Sequence, residues 1–357
     1  MSSEGGGQLS FVPQERNPKA SDVLLPEGYK IEVITTGLSF PTSVAFDLEG
    51  TPYVIEEGYS YGEVFLEPKL IRIEPDGSHS VIYQGGRNGP WNGVTFDNGF
   101  FYIAEGGQLE GGKILKVSKD GLAEVLVEGL PSFGDHHTNG PVVRDGYVYF
   151  GQGTATNSGV VGNDNAAFGW LYRKENFHDI PCKDIVVNAL NHKTENVLTE
   201  NPDDIAVTGP FSAYNQTVEQ DQIIQGRIPC NGAVMRVPVT GGEIELVAWG
   251  FRNPYGMAVA PDGEIYITQN SYDVRGSRPV WGTADLLWKL EEGAWYGWPD
   301  FNGRIPVTSL EVPDEQDPKQ IMAEHPKAPP EPVAKFAVHS SSNGISFSHS
   351  EDFGFPG

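Results

Sequence analysis

The chain has 357 residues, with 24 lysines and arginines against 48 aspartates and glutamates, a formal net charge of -24. A field of that sign repels nucleic-acid phosphates and anionic lipid, so neither is an expected partner. With 38% hydrophobic residues the chain can close a sizeable core, yet no apolar run approaches the roughly 20 residues of a membrane-spanning helix, which excludes membrane insertion by that route.

Residues 1–20 read as a flexible tail, because MSSEGGGQLS has neither the basic start nor the apolar segment of a signal peptide. From residue 21 onward short apolar runs alternate with turns, and the 44 glycines and 27 prolines suit a chain of many strands. Four segments repeat one design: a Pro or Gly turn, an apolar strand, a tight acidic-Gly turn and a second strand with an aromatic. They are PTSVAFDLEGTPYVIEEG from Pro41, PWNGVTFDNGFFYIAEGG from Pro90, NGPVVRDGYVYFGQGT from Asn139 and PYGMAVAPDGEIYITQNS from Pro254, and NGISFSHSEDFG from Asn343 begins a fifth. Further strand pairs lie between the copies, as in KLIRIEPDGSHSVIYQG, so each repeat makes one four-stranded antiparallel unit. Units too small to bury both faces alone stack radially, and the sequence predicts an all-β fold, a β-propeller of four blades plus the start of a fifth. A β-sandwich also has short strands but does not repeat one motif in phase. The spacing is 50 residues from Val44 to Val94 and 48 from Val94 to Val142; the longer third and fourth intervals predict insertions, the first a loop-rich one at about 163–229.

The turn LPSFGDHHTNG places Asp135, His136 and His137 at the mouth of the third hairpin, where polar groups collect around a propeller channel. The second strands end in Glu56-Glu57-Gly58, Glu105-Gly106-Gly107, Gln152-Gly153 and Gln269-Asn270-Ser271, which equivalent blade positions should gather round one opening. In the insertion Cys182 and Cys230 each follow Ile-Pro; we read them as a disulfide, two buried thiols being the alternative. Just before the fourth inner strand, Arg252 and Asn253 offer a planar cationic fork and an amide, a pair suited to an oxygen-rich planar ligand. Trp295-Tyr296-Gly297-Trp298-Pro299 follows as an aromatic cluster.

LPSFGDHHTNG, GFRNPYGMAVAPDGEIYI, YGWPDFNG and HSSSNGISF, in that order, resemble the soluble glucose and sorbosone dehydrogenases, six-bladed propellers that use pyrroloquinoline quinone and calcium. The resemblance covers about residues 24–357 and implies periplasmic or secreted export, a sugar or polyol substrate and an external electron acceptor, a quinone or cytochrome. It implies that His136 is the catalytic base, that Arg252 and Asn253 hold the quinone, and that the carbonyls of Ser271 and Tyr272 hold calcium. Gln152 stands where the family has an aspartate that orients the histidine, and Pro90-Trp91-Asn92 where it has a substrate-side glutamine. The chain stops at Phe355-Pro356-Gly357, inside the fifth copy, and reads as a truncated form of a longer protein. Two other functions stay open at this point. One is a binding propeller without a redox cofactor; the other is a metal-dependent lactonase, to which Glu56 and Glu105 would contribute.

Overall fold

The computed structural model describes residues 19–60, 64–167, 169–309 and 319–348. The expected tail at 1–20 lies almost wholly outside them. The described residues form four antiparallel four-stranded blades arranged as a β-propeller. In order from the channel outward, the first blade is built from Pro41–Phe46, Pro52–Glu56, Lys69–Ile73 and His79–Gln84. The second runs Trp91–Asp97, Phe100–Glu105, Gly112–Ser118 and Ala123–Leu130; the third Thr138–Arg144, Tyr147–Gln152, Ala233–Pro238 and Glu245–Trp249. The fourth takes Asn253–Val259, Ile265–Asn270, Ala284–Lys289 and Ala334–Val338.

Why these strands read as nearly continuous apolar runs is plain from the packing. Side chains alternate along a strand, and a blade between two others needs apolar residues on both faces. In Phe100–Glu105, Phe101 and Ile103 join the core against the first blade while Tyr102 and Ala104 join the core against the third. In Tyr147–Gln152, Val148 and Phe150 face the second blade and Tyr149 the fourth.

The inner strands of neighbouring blades touch, and closest are those of the second and third. A Cβ on Gly93 would fall 1.3 Å from the Gly140 carbonyl oxygen, so only glycine admits that approach. The segment from Asn343, where the fifth copy of the repeat begins, takes no regular strand conformation but lies along the fourth blade. Thr268 Oγ1 donates to the Asn343 carbonyl, and Phe347 tilts against Tyr266.

The third blade is interrupted between its second and third strands. The interruption holds helices Asn163–Ala167 and Trp170–Arg173 and two small ribbons, Ile185–Val187 with Gln222–Ile224 and His192–Glu195 with Ile205–Thr208. Cys182 and Cys230 are joined in a disulfide inside the core shared with the second and third blades. No helix among the described residues is long and apolar enough to cross a membrane.

Candidate functional site

At one end of the channel lies a polar pocket of about 220 Å³, lined by Glu57 from the first blade, Pro90 and Asn92 from the second, Asp135, His136, His137 and Asn139 from the third, and Asn253, Tyr255 and Asn270 from the fourth, with Ser341 and Asn343 closing it. Local backbone bonds hold the histidine turn there. The amides of Asp135 and His136 donate to the carbonyls of Ala155 and Thr154, and Gly153 donates back to His137, so the turn extends the third hairpin beyond its last ladder pair. A Cβ on Gly153 would stand 2.2 Å from that of His136, and the sequence has glycine at that position.

The tautomer of His136 follows from its partners. Nδ1 lies 3.0 Å from the Thr154 carbonyl and 2.9 Å from Thr154 Oγ1. A carbonyl only accepts, and the Thr154 hydroxyl spends its proton on the Thr156 carbonyl at 2.7 Å. Nδ1 must therefore carry the hydrogen, which leaves Nε2 with a bare lone pair. Burial holds the ring well below its usual pKa, and the positive charges of Arg252 and Arg275 push in the same direction. His136 is thus a neutral imidazole ready to accept a proton. His137 is also held down by burial, to about 4.

Behind the histidines lies a partly buried charge network. Arg275 bridges Asp135 at 2.8 Å, Asp164 at 2.6 Å and Asp273 at 3.2 Å. Arg252, 2% exposed, is spent on the same network, with Nη2 2.8 Å from Asp273 Oδ2 and 2.9 Å from Asn157 Oδ1. It does not line the pocket, and Asp273 and Asn157 occupy its fork. Asn253, beside it in sequence, does line the pocket.

Gln152 is placed differently from the expectation. It pairs with Thr138 in the ladder, and its side chain accepts from Thr138 Oγ1 at 2.8 Å and Ser132 Oγ at 3.1 Å, away from His136. Thr154, two residues on, does the orienting that was expected of Gln152. Ser271 and Tyr272 are likewise outside the lining. The Ser271 amide donates to Asp285, the Tyr272 carbonyl accepts from Thr283 Oγ1, and the Tyr272 ring is buried in the core. No group of three or more His, Cys, Asp or Glu side chains suited to a metal stands together among the described residues. Glu56 and Glu105 also turn from the pocket, Glu56 to the Ser39 amide and Lys69, Glu105 to Asn88, Trp91 Nε1 and Lys113.

Sequence reasoning missed a chain of asparagines. Asn92 Nδ2 donates to Asn139 Oδ1 at 3.0 Å, Asn139 to Asn253 at 2.8 Å, Asn253 to Asn270 at 2.9 Å, and Asn270 to the Ser342 carbonyl at 2.8 Å. The amides pass in one direction from blade to blade and present a continuous polar rim. Part of its signal was in the repeats: four of the five copies, all but the first, place asparagine next to Gly or Pro near their start, as Asn92-Gly93, Asn139-Gly140, Asn253-Pro254 and Asn343-Gly344.

Pyrroloquinoline quinone is a planar, oxygen-rich tricarboxylate. The neutral His136 and the amides of Asn139, Asn253 and Asn270 suit its ring oxygens and nitrogens. No lysine or arginine lines the pocket among the described residues, so the fit extends to the ring and not to the carboxylates.

No family model matches the chain, and no curated protein matches it in sequence. Solved structures do. A calcium structure of a carbohydrate-active enzyme of family AA12 from Trichoderma reesei matches with a TM-score of 0.52 at 15% identity, covering 91% of this chain and 74% of that one. The holo form of the pyranose dehydrogenase PQQ domain from Coprinopsis cinerea matches at 0.50 and 13%, covering 89% and 70%. These likenesses establish the propeller fold, and the sugar-oxidising quinoproteins among them meet the resemblance read from the motifs at the level of that fold.

Proposed function

We propose that the chain serves an oxidoreductase that removes hydride from a hydroxyl-bearing carbon of a sugar or other polyol, with pyrroloquinoline quinone as the acceptor. The observation that supports this reading most is the state of His136, a buried neutral imidazole with its bare Nε2 in a polar channel pocket.

Such a group takes the hydroxyl proton as the neighbouring C–H bond delivers hydride, so the alcohol becomes a carbonyl and the proton and electron pair leave by separate routes. The asparagine rim would hold the remaining hydroxyls and the flat face of the acceptor, since each amide both donates and accepts. Bound quinone supplies the two-electron sink. Thr154 keeps Nδ1 protonated throughout, and burial together with the charges of Arg252 and Arg275 disfavours a lasting imidazolium, so the proton is passed on. No step is assigned to calcium. The Cys182–Cys230 disulfide suits an oxidising compartment, the periplasm or the exterior.

The lack of a lining cation among the described residues favours a second reading, a propeller that binds a polyhydroxy ligand without redox chemistry. Titration with the quinone, followed by glucose and an acceptor dye, separates the two. Uptake with sugar-dependent bleaching supports the oxidoreductase, and His136→Ala should keep uptake while turnover falls about 10²- to 10⁴-fold. Sugar binding with no quinone uptake would leave the binding propeller.

A further inference from the structure

One acid of the pocket has no task in this scheme. Glu57 ends the second strand region of the first blade, and its backbone is fixed on both sides: its amide donates to the Phe40 carbonyl at 3.0 Å, and its own carbonyl accepts from the Trp91 amide at 3.1 Å. The side chain is therefore presented to the pocket from a rigid seam between two blades. Glu56 and Glu105, which occupy comparable strand ends, have amide and lysine partners. The Glu57 carboxyl has no hydrogen bond or ion pair among the described residues, although it is half-buried and lines the pocket with His136.

The other ionisable groups lining that space are answered or neutral. Asp135 is met by Arg275 at 2.8 Å, and burial keeps His136 and His137 uncharged. No lysine or arginine lines the pocket among the described residues. Among the described residues, the one uncompensated ionisable group lining that space is Glu57.

We propose that Glu57 is the substrate-selecting carboxylate of this pocket, accepting hydrogen bonds from the hydroxyls of a neutral polyol or the ammonium of an amino sugar and excluding sugar acids. A carboxylate acceptor binds hydroxyl donors strongly in a partly desolvated site, whereas a substrate carboxylate placed directly against it meets like-charge repulsion with no lining cation among the described residues to screen it, and the quinone's carboxylates would have to lie away from Glu57. Burial alone pushes the Glu57 carboxyl up to about 7. The exclusion is therefore full above that pH and relaxes as the pH falls through it, while a sugar acid, with a carboxyl near 3.5, stays ionised.

This inference rests on the reading of the pocket as a sugar site, and the test keeps the two apart. Binding of glucose, glucosamine and glucuronate would be measured by ligand-observed NMR on the protein as isolated, and kcat/KM on the quinone-loaded form, at pH 5.5 and 8. The wild type should favour glucose over glucuronate by on the order of tenfold at pH 8 and by less at pH 5.5. Glu57→Gln should bring that ratio near one at both, and Glu57→Asp should retain the exclusion, which rules out a mere folding effect. Equal ratios in wild type and Glu57→Gln would overturn the selecting role while leaving the sugar reading intact. Failure of the wild type to bind any of the three sugars overturns the sugar reading, and the inference with it.

Discussion

The two ends of the central channel are lined by consecutive stretches of the same inner strands, yet they differ in kind. One end is a cavity of about 570 Å³ walled largely by backbone, Val44, Phe46, Val94, Val142, Met257 and Val259. The other, of about 220 Å³, collects His136, Glu57 and the asparagine rim. Asn92 and Tyr255 touch both. The change from one end to the other takes only a few residues, and the chemistry is carried by the turns before the inner strands, by those strands' first residues and, for Glu57 and Asn270, by the ends of second strands. The rest of the strand is scaffold.

The strongest way to break this contrast is at the junction itself. Gly93 lies between polar Asn92 and apolar Val94, and a Cβ there meets the Gly140 carbonyl at 1.3 Å. Gly93→Ala should force the second and third blades apart and destabilise the protein by about 3 kcal/mol, visible as a lowered melting temperature. An unchanged melt would mean that the blades are not fixed at this contact.

A smaller and sharper comparison exchanges hydroxyl and methyl at the two ends. Thr154→Val removes the Oγ1 that receives the His136 proton but keeps the carbonyl. It should lower kcat/KM about five- to tenfold, the worth of one hydrogen bond, with little change in KM. Val44→Thr, the reverse exchange at the wider end, should leave turnover unchanged. Equal losses from both would show that turnover responds to the channel as a whole and not to one end.

Much of this was legible in the sequence because the two signals are local. The blades show in the repeat of apolar strand, acidic-Gly turn and aromatic strand, and His136 shows in a turn directly before a hairpin. What failed to show depends on partners distant in the chain. Arg252 looks free in sequence, but Asn157 and Asp273, 95 and 21 residues away, occupy its guanidinium. Gln152 seemed placed to orient the histidine, yet its ladder position opposite Thr138 sends its side chain to Ser132, and Thr154 beyond the strand end reaches the ring instead. Ser271 and Tyr272 follow a strand end, where Asp285 takes the Ser271 amide and Thr283 the Tyr272 carbonyl. Most of the asparagine rim was visible in principle, since Asn92, Asn139 and Asn253 recur at one place in their copies; its meaning needed the blades side by side.

The central claim is that His136 is a neutral base with Nδ1 protonated and Nε2 open to the pocket. Nitrogen-detected NMR of the ring, with His136 assigned by its loss in His136→Ala, tests this directly. The expected spectrum is that of a neutral Nδ1–H tautomer that persists as the pH is lowered through 6.5, the ordinary midpoint of a free imidazole. A ring that protonates at that midpoint would show that burial does not hold it neutral, and a hydrogen on Nε2 would leave no free lone pair there; either result would contradict the account.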